Sequence, residues 1–444
     1  MIKKGSLQAA YNDLKANDNN AVAHVFDIKE PPMSNKPLAN CIFTIKDNYA
    51  DVACPTRGSS KFLETFQSSY EATVLKLLRE SGALCVARTN LDEFGMGGSG
   101  EYSAYGVIKH PQNHQYMIGG SSSGAAATFS DNISFAIGSD TGDSVRKPAS
   151  NIGKVGFKPS YGAISRYGLF SFATSLDTVA YFTHNVNDAI ELSHVLFKQD
   201  LANDLTSKDL SFKLEDVKLA KPKTVAYLDC FDKLAPAVAK AYQGLLDQLK
   251  KANVQLIKID VDEKMFNSID VVYKVISFSE ASSNLANLTG IAFGPKFDIE
   301  GDWEETVIAK RSQKLGKMVQ SRLILGSYFL EEENQIKYFV KAKKMRQVLF
   351  DYFSEIHSES DCFIYPAASD SAPKFDENIK PNYMDFILTY GNLVGNPSMT
   401  MKLGTNKENN MPFNIAIDCA VDQDLKLFSH ALYLEKLIKG GCRE

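Results

Sequence analysis

The sequence predicts an α/β fold: one large domain whose central β-sheet is covered by helices on both faces. The first observation behind this is alternation. Short apolar runs of strand length recur between longer stretches suited to helices, the pattern of a sheet with helices packed on either side. The second is uniformity. The chain has 444 residues, 44% hydrophobic and 23% charged, ordinary globular material able to bury a substantial core. No internal repeat, low-complexity segment or break in composition divides it into independent domains.

Residues 1–40 are expected to form a short N-terminal helical segment and residues 41–440 the main domain. Ile42 to Lys46 reads as a buried strand. Ala72, Val74, Leu75, Leu77 and Leu78 make a helical stripe, and Gly82 is a natural stop. Ala83 to Ala87 is a short strand, and Ile133 to Ile137 another that runs straight into a serine-bearing loop. Thr224 to Leu228, Val254 to Ile259, Cys362 to Tyr365 and Asn414 to Ile417 read in the same way. Further helices are expected at 187–198, 236–252, 266–287, 304–320, 333–357 and 424–438. The polar, lysine-rich stretch 199–222 is expected to be a long surface connection.

Composition excludes several functions. A net charge of −4 and a pI near 6.0 leave no electrostatic footprint for nucleic acid. The seven cysteines are scattered and never form C-x-x-C, which suits reduced thiols and predicts neither a disulfide framework nor a zinc knuckle. The N-terminus lacks an apolar signal core, and no run of 18 apolar residues is present, so neither secretion nor a membrane span is expected. A cytoplasmic location is the expectation that follows. No metal-ligand cluster stands out among the seven histidines, so no metal is expected in this chain. An ATP phosphate loop of the G-x-x-x-x-G-K-[ST] kind is also missing.

The chemistry lies in two serine loops and one lysine. Gly119-Gly120-Ser121-Ser122-Ser123-Gly124 precedes Gly138-Ser139-Asp140-Thr141-Gly142-Asp143-Ser144-Val145-Arg146, and Lys46 ends the first strand. A serine hydroxyl is a weak nucleophile until a base takes its proton. A neutral Lys46 could take a proton from Ser121, which takes one from Ser144. That requires a lysine well below its reference pKa of about 10.4, and burial can lower a lysine by up to about 3–5 pKa units. The turn from Thr141 through Gly142 and Asp143 to Ser144 could direct unpaired backbone N–H groups at a developing oxyanion. The plain alternatives are a solvated lysine, a flexible loop and an ordinary β-turn.

These motifs together resemble the amidase signature family. The resemblance extends to Thr89-Asn90-Leu91-Asp92-Glu93-Phe94-Gly95-Met96-Gly97, to Glu101 through Gly106, to Gly156 through Gly162, and to Ser165 through Leu169. It continues through Phe172 to Asp177 and Glu280 to Leu285, and is similar in particular to the branch of glutamyl-tRNA(Gln) amidotransferase A subunits. The resemblance implies a mixed sheet, Lys46 as base, Ser121 as a relay held by a cis peptide, and Ser144 as nucleophile. It implies hydrolysis of glutamine through a γ-glutamyl ester. The ammonia would pass to partner subunits B and C, which would use ATP and Mg to convert misacylated Glu-tRNA(Gln) and would hold most of the tRNA. It also implies that Arg322 grips the α-carboxylate of glutamine and Asp385 its α-amino group; read alone, each is a helix-surface charge.

The chain departs from the family pattern in two places near the site. Asp143 stands where the family has a second glycine, and the interval from Ser121 to Ser144 is one residue short. Asp143 is expected to point its carboxylate away from the oxyanion, paired with Arg146 or Lys147. Three rivals remain: a stand-alone amidase, a non-catalytic scaffold, and an α/β-hydrolase suggested by the G-x-S-x-G match of Gly120 to Gly124. The last needs a strand directly before the serine, and His110 to Gln115 is too polar for one. The basic run Lys341, Lys343, Lys344 and Arg346 is read as solvated helix surface, with tRNA contact as the alternative.

Overall fold

The computed structural model describes residues 2–28, 35–296, 301–377 and 380–440. The chain begins with α1 (Leu7–Lys15) and β1 (Val22–Val25), followed by β2 (Ile42–Lys46), α2 (Thr73–Glu80) and β3 (Leu84–Thr89). Next come α3 (Ser123–Ala127), β4 (Phe135–Asp140), α4 (Arg146–Ile152), β5 (Val155–Lys158), β6 (Thr178–Thr183) and α5 (Val186–Leu196). The central part holds β7 (Thr224–Asp229), α6 (Pro236–Lys251), β8 (Gln255–Asp260) and α7 (Glu263–Asn284). It continues with α8 (Trp303–Lys314), α9 (Lys317–Leu330), α10 (Glu332–Gln335) and α11 (Lys341–Glu359). The chain closes with β9 (Cys362–Pro366), α12 (Tyr390–Val394), β10 (Ser398–Thr405), β11 (Pro412–Asp418) and α13 (Asp424–Ile438).

The eleven strands among the described residues form one sheet in the order β1-β3-β2-β4-β6-β5-β10-β11-β9-β7-β8. It is mixed. β2 runs parallel to both β3 and β4, and β7 parallel to both β8 and β9. β4, β6, β5, β10, β11 and β9 pair antiparallel in succession. The helix expected in 1–40 is α1, and β1 in the same segment pairs with β3.

Four strands are absent from the sequence reading: β1, β5, β6 and β10. Two of them carry residues that disguise a buried strand. β5 contains Gly156 and the fully buried Lys158, whose Nζ donates to the Pro159 and Asn396 carbonyls at 3.0 and 2.6 Å. β10 mixes Ser398, Thr400 and Lys402 with its methionines. The helix expected at 304–320 is two helices, α8 and α9, separated by extended residues Leu315 and Gly316. Leu315 turns into the core there. Stretch 199–222 is irregular apart from the short turn Leu214–Asp216. The basic run on α11 is not one solvated face. Lys341, Lys343 and Lys344 are exposed, but Arg346 turns inward, donating from Nε to the Leu393 carbonyl at 2.7 Å and from Nη1 to Ser175 Oγ at 3.1 Å. Among the described residues no helix is long and apolar enough to cross a membrane.

Candidate active site

Lys46 is the last residue of β2, flanked by two parallel strands, and it is wholly buried. Its Nζ lies 2.8 Å from Ser121 Oγ and 2.9 Å from Ser139 Oγ, with the Ser139 carbonyl at 3.4 Å. Burial disfavours the ammonium and brings the Lys46 pKa down to about 7, against the upward pull of the Asp92, Asp140 and Asp177 carboxylates. Near neutral pH a substantial fraction is therefore free amine, able to accept a hydroxyl proton.

The Ser121 loop is fixed by close approach. The Gly120–Ser121 peptide is cis. A β-carbon on Gly120 would stand 2.1 Å from Asp92 Oδ2, so only glycine fits between them. Asp92 is itself buried and accepts from the Gly100 and Tyr102 N–H groups at 3.2 and 2.9 Å. Ser122 stitches the two serine loops together. Its N–H donates to the Ser144 carbonyl at 3.1 Å, and its hydroxyl donates to the Ser139 carbonyl at 3.1 Å. Ser144 is thus held beside the Ser121 loop, although its hydroxyl makes no hydrogen bond to Ser121 in this structure.

The turn after β4 is built around Arg146, which is fully buried. Its Nη2 donates to Asp140 Oδ1 at 2.9 Å, to the Gly142 carbonyl at 2.7 Å and to Asn392 Oδ1. In a trans peptide C=O and N–H point in opposite directions. Drawing the Gly142 carbonyl inward onto Arg146 therefore turns the Asp143 N–H outward. Asp140 Oδ2 accepts from the Val145 and Arg146 N–H groups at 3.0 and 3.3 Å. The N–H groups of Gly142, Asp143 and Ser144 have no acceptor among the described residues, which is the arrangement an oxyanion needs. The Thr141 side chain is committed elsewhere, donating to Asp177 Oδ1 at 2.6 Å.

The expected pairing of Asp143 does not form. Arg146 is saturated by Asp140, Gly142, Asn392, Ser398 and the Leu388 carbonyl. Lys147 Nζ turns to the Asp385 carbonyl at 3.3 Å. The Asp143 carboxyl is left without a hydrogen bond. Burial raises its pKa to about 6; Lys147 opposes the rise, and Asp140 and Asp385 add to it.

Arg322, on α9, lies within electrostatic reach of Asp92 and Tyr273, both of which border the serine loops. Its guanidinium lies 5.0 Å from the centre of the Phe278 ring and 5.8 Å from that of Phe172. Phe172 borders Gly95, and a β-carbon on Gly95 would be 3.6 Å from Ser121 Oγ. Arg322 Nε is buried without a protein acceptor, so a planar donor there is open to an anion. Asp385 spends one carboxylate oxygen on the Asn382 N–H at 2.7 Å, capping its own short turn. Tyr273, on α7, escaped the sequence reading. Its ring lies over Gly142, 3.1 Å from a β-carbon built there. No local signal marks it, because only the packing of α7 across the turn brings it in. Among the described residues no group of three or more His, Cys, Asp or Glu side chains gathers as a metal-binding cluster.

Fold and site together are those of a hydrolase of the amidase type. The amidase family model matches residues 7–427. The glutamyl-tRNA(Gln) amidotransferase A subunit of Mycoplasma genitalium is 39% identical over 414 residues, covering 90% of this chain and 86% of the relative. Its counterpart in Mycoplasma pneumoniae is 37% identical, covering 91% and 87%. The crystal structure of the glutamyl-tRNA(Gln) amidotransferase A subunit from Thermotoga maritima superposes with a TM-score of 0.79 at 30% identity, over 97% of this chain and 90% of that one. Peptide amidase from Stenotrophomonas maltophilia shares the fold, with a TM-score of 0.76 at 18% identity and 97% and 93% coverage. The chain belongs to the amidase family.

Proposed function

We propose that this chain is the glutaminase subunit of a tRNA-dependent amidotransferase, with Lys46, Ser121 and Ser144 as its catalytic triad. The observation that carries the proposal is the buried Lys46 amine, 2.8 Å from Ser121 Oγ and poised to lose its proton near pH 7. Lys46 takes the Ser121 proton as Ser121 takes that of Ser144. Ser144 Oγ then attacks the side-chain amide carbon of glutamine. The N–H groups of the turn from Thr141 through Gly142 and Asp143 to Ser144 receive the oxyanion. The C–N bond breaks as the proton returns through Ser121 to the leaving nitrogen, which departs as ammonia. Water, deprotonated by the same relay, hydrolyses the γ-glutamyl ester on Ser144.

Arg322 is the donor for the α-carboxylate of glutamine, since its Nε is left without a protein acceptor. Asp385 is the acceptor for the α-ammonium group. The names of the relatives support an assembly: the chain would act in the cytoplasm with subunits B and C, which bind most of Glu-tRNA(Gln) and use ATP and Mg to consume the ammonia. The acidic balance of the chain and the inward-turned Arg346 fit a subunit that holds little tRNA itself. The test is ammonia release from glutamine by the co-expressed complex, with mass spectrometry of the trapped ester. A glutamyl adduct on Ser144, lost in Ser144→Ala, is expected. An adduct on Ser121 or Ser122 would overturn the assignment.

A further inference from the structure

Glu93 lies in the loop between β3 and the Ser121 loop, and its side chain is 1% exposed. A carboxyl so placed needs partners, and it has two from distant parts of the chain. Oε2 accepts the Gly316 N–H at 2.7 Å, and Oε1 accepts the Ser60 hydroxyl. Burial raises the Glu93 pKa to about 7, with Ser60 and Gly316 opposing the rise. Gly316 is the residue from which α9 starts. A β-carbon on Gly316 would stand 2.4 Å from Glu93 Oε2, so the two surfaces meet with no room to spare.

Arg322 follows Gly316 on the same helix, six residues on, or ~9 Å along a rigid axis. Further along, α9 is held to α7 by the Ser282 hydroxyl, which bonds the Leu323 carbonyl at 3.3 Å and Ser327 Oγ at 2.7 Å. The start of α9 is thus held by Glu93 and its middle by Ser282, with Arg322 between. The Glu93 loop also reaches the nucleophile side. Asp92 presses on Gly120, and Gly95 lies against Ser121. Residues 92–95 therefore touch both the proton relay and the helix that carries the carboxylate-binding arginine.

We infer that Glu93 is a positioning residue: by holding Gly316 it sets where Arg322 stands relative to Ser121 and so governs recognition of the α-carboxylate. The inference rests on the glutaminase reading for its substrate and on geometry alone for the position of Arg322. A misplacement of about 1 Å far from the chemistry can cost a hundredfold in rate, so the coupling matters. Glutamine at position 93 keeps the shape, an acceptor for Gly316 and a donor for Ser60. Alanine keeps none of these.

The experiment compares glutamine with 4-aminobutanamide, which lacks only the α-carboxylate, in the assembled complex. Glu93→Ala should raise KM for glutamine about tenfold or more while leaving kcat/KM for 4-aminobutanamide within about threefold, and Glu93→Gln should resemble the parent on both. Gly316→Ala, which retains the carboxyl but forces it from the helix start, should reproduce the selective rise and carries the test if Glu93→Ala does not fold. Equal losses on both amides, or unchanged kinetics in both Glu93→Ala and Gly316→Ala, overturn the inference. If the parent complex releases no ammonia from glutamine, the glutaminase reading fails separately. Crystal structures of Glu93→Gln and Gly316→Ala then decide the positional claim. A guanidinium displaced by more than about 1 Å from its place beside Phe172 and Phe278 in Gly316→Ala alone supports it; an unmoved Arg322 refutes it.

Discussion

Arg146 closes on Asp140 at 2.9 Å with both side chains fully buried, and from the same nitrogen it draws in the Gly142 carbonyl at 2.7 Å. This pair shapes the turn that presents Ser144. Removing one partner of a buried ion pair strands the other charge, at a cost of about 3–5 kcal/mol. Arg146→Ala should therefore lower unfolding free energy by that order and abolish ammonia release. Urea denaturation followed by circular dichroism checks the first. A variant as stable as the parent would show that the pair does not hold the turn.

In the proposed relay Lys46 sets the pH dependence. With its pKa lowered to about 7 by burial, the free amine predominates above that pH and the ammonium below it. Glutaminase kcat/KM should fall about tenfold for each pH unit below the limb near 7. Arginine stays protonated, so Lys46→Arg should lose several orders of magnitude at every pH. Near-normal turnover in that variant would place the base elsewhere.

Asp143 is the departure from the family pattern most open to test. In the proposed mechanism its backbone N–H serves the oxyanion whatever the side chain, and a lost oxyanion donor costs about 10²–10³ in kcat. Asp143→Gly should change kcat by less than about tenfold, or ~1.4 kcal/mol. A hundredfold gain would mean that the carboxylate suppresses catalysis.

Asp143 should also leave a mark on stability. Its pKa is raised in the folded chain to about 6, above the unfolded value of about 3.9. Its protonated form therefore favours the fold, and that contribution is lost as pH rises from about 4 through 6. The parent should lose stability relative to Asp143→Gly across this window, measured by chemical denaturation at successive pH values. A difference that does not vary with pH would show that the carboxyl titrates normally.

Arg322 should discriminate between amides. Arg322→Ala is expected to raise KM for glutamine by about a hundredfold, equivalent to ~2.7 kcal/mol of charge-assisted hydrogen bonding. Turnover of a simple alkyl amide should change little. Equal factors for the two substrates in steady-state kinetics would remove Arg322 from carboxylate recognition.

The sequence by itself determined the elements whose signal is local. Ile42 to Lys46 reads as a buried strand from five adjacent side chains, and helix α6 at 236–252 and α13 at 424–438 lie within a residue or so of their observed ends. The glycines and serines of both loops announce tight turns. The order Lys46, Ser121, Ser144 suffices to suggest the relay. β1, β5, β6 and β10 are not legible; β5 and β10 carry Lys158, Ser398 and Thr400, whose polar groups are satisfied largely by residues distant in sequence. Thr400 Oγ1, for example, donates to the Arg146 carbonyl at 3.0 Å.

Only the tertiary structure decided what each charged residue in the site does. Whether Lys46 is a solvated charge or a buried amine depends on β3 and β4 closing on β2 from either side. Whether Arg146 serves Asp143 or Asp140 depends on the Leu388 carbonyl just before α12 and on the side chains of Asn392 and Ser398 that α12 and β10 bring, all more than two hundred residues away. Tyr273, the open Nε of Arg322 and the Glu93–Gly316 contact are likewise products of packing. The physical reason is range. Periodicity and turn chemistry act among neighbours along the chain, whereas desolvation and ion pairing depend on which distant atoms fill the space around a side chain.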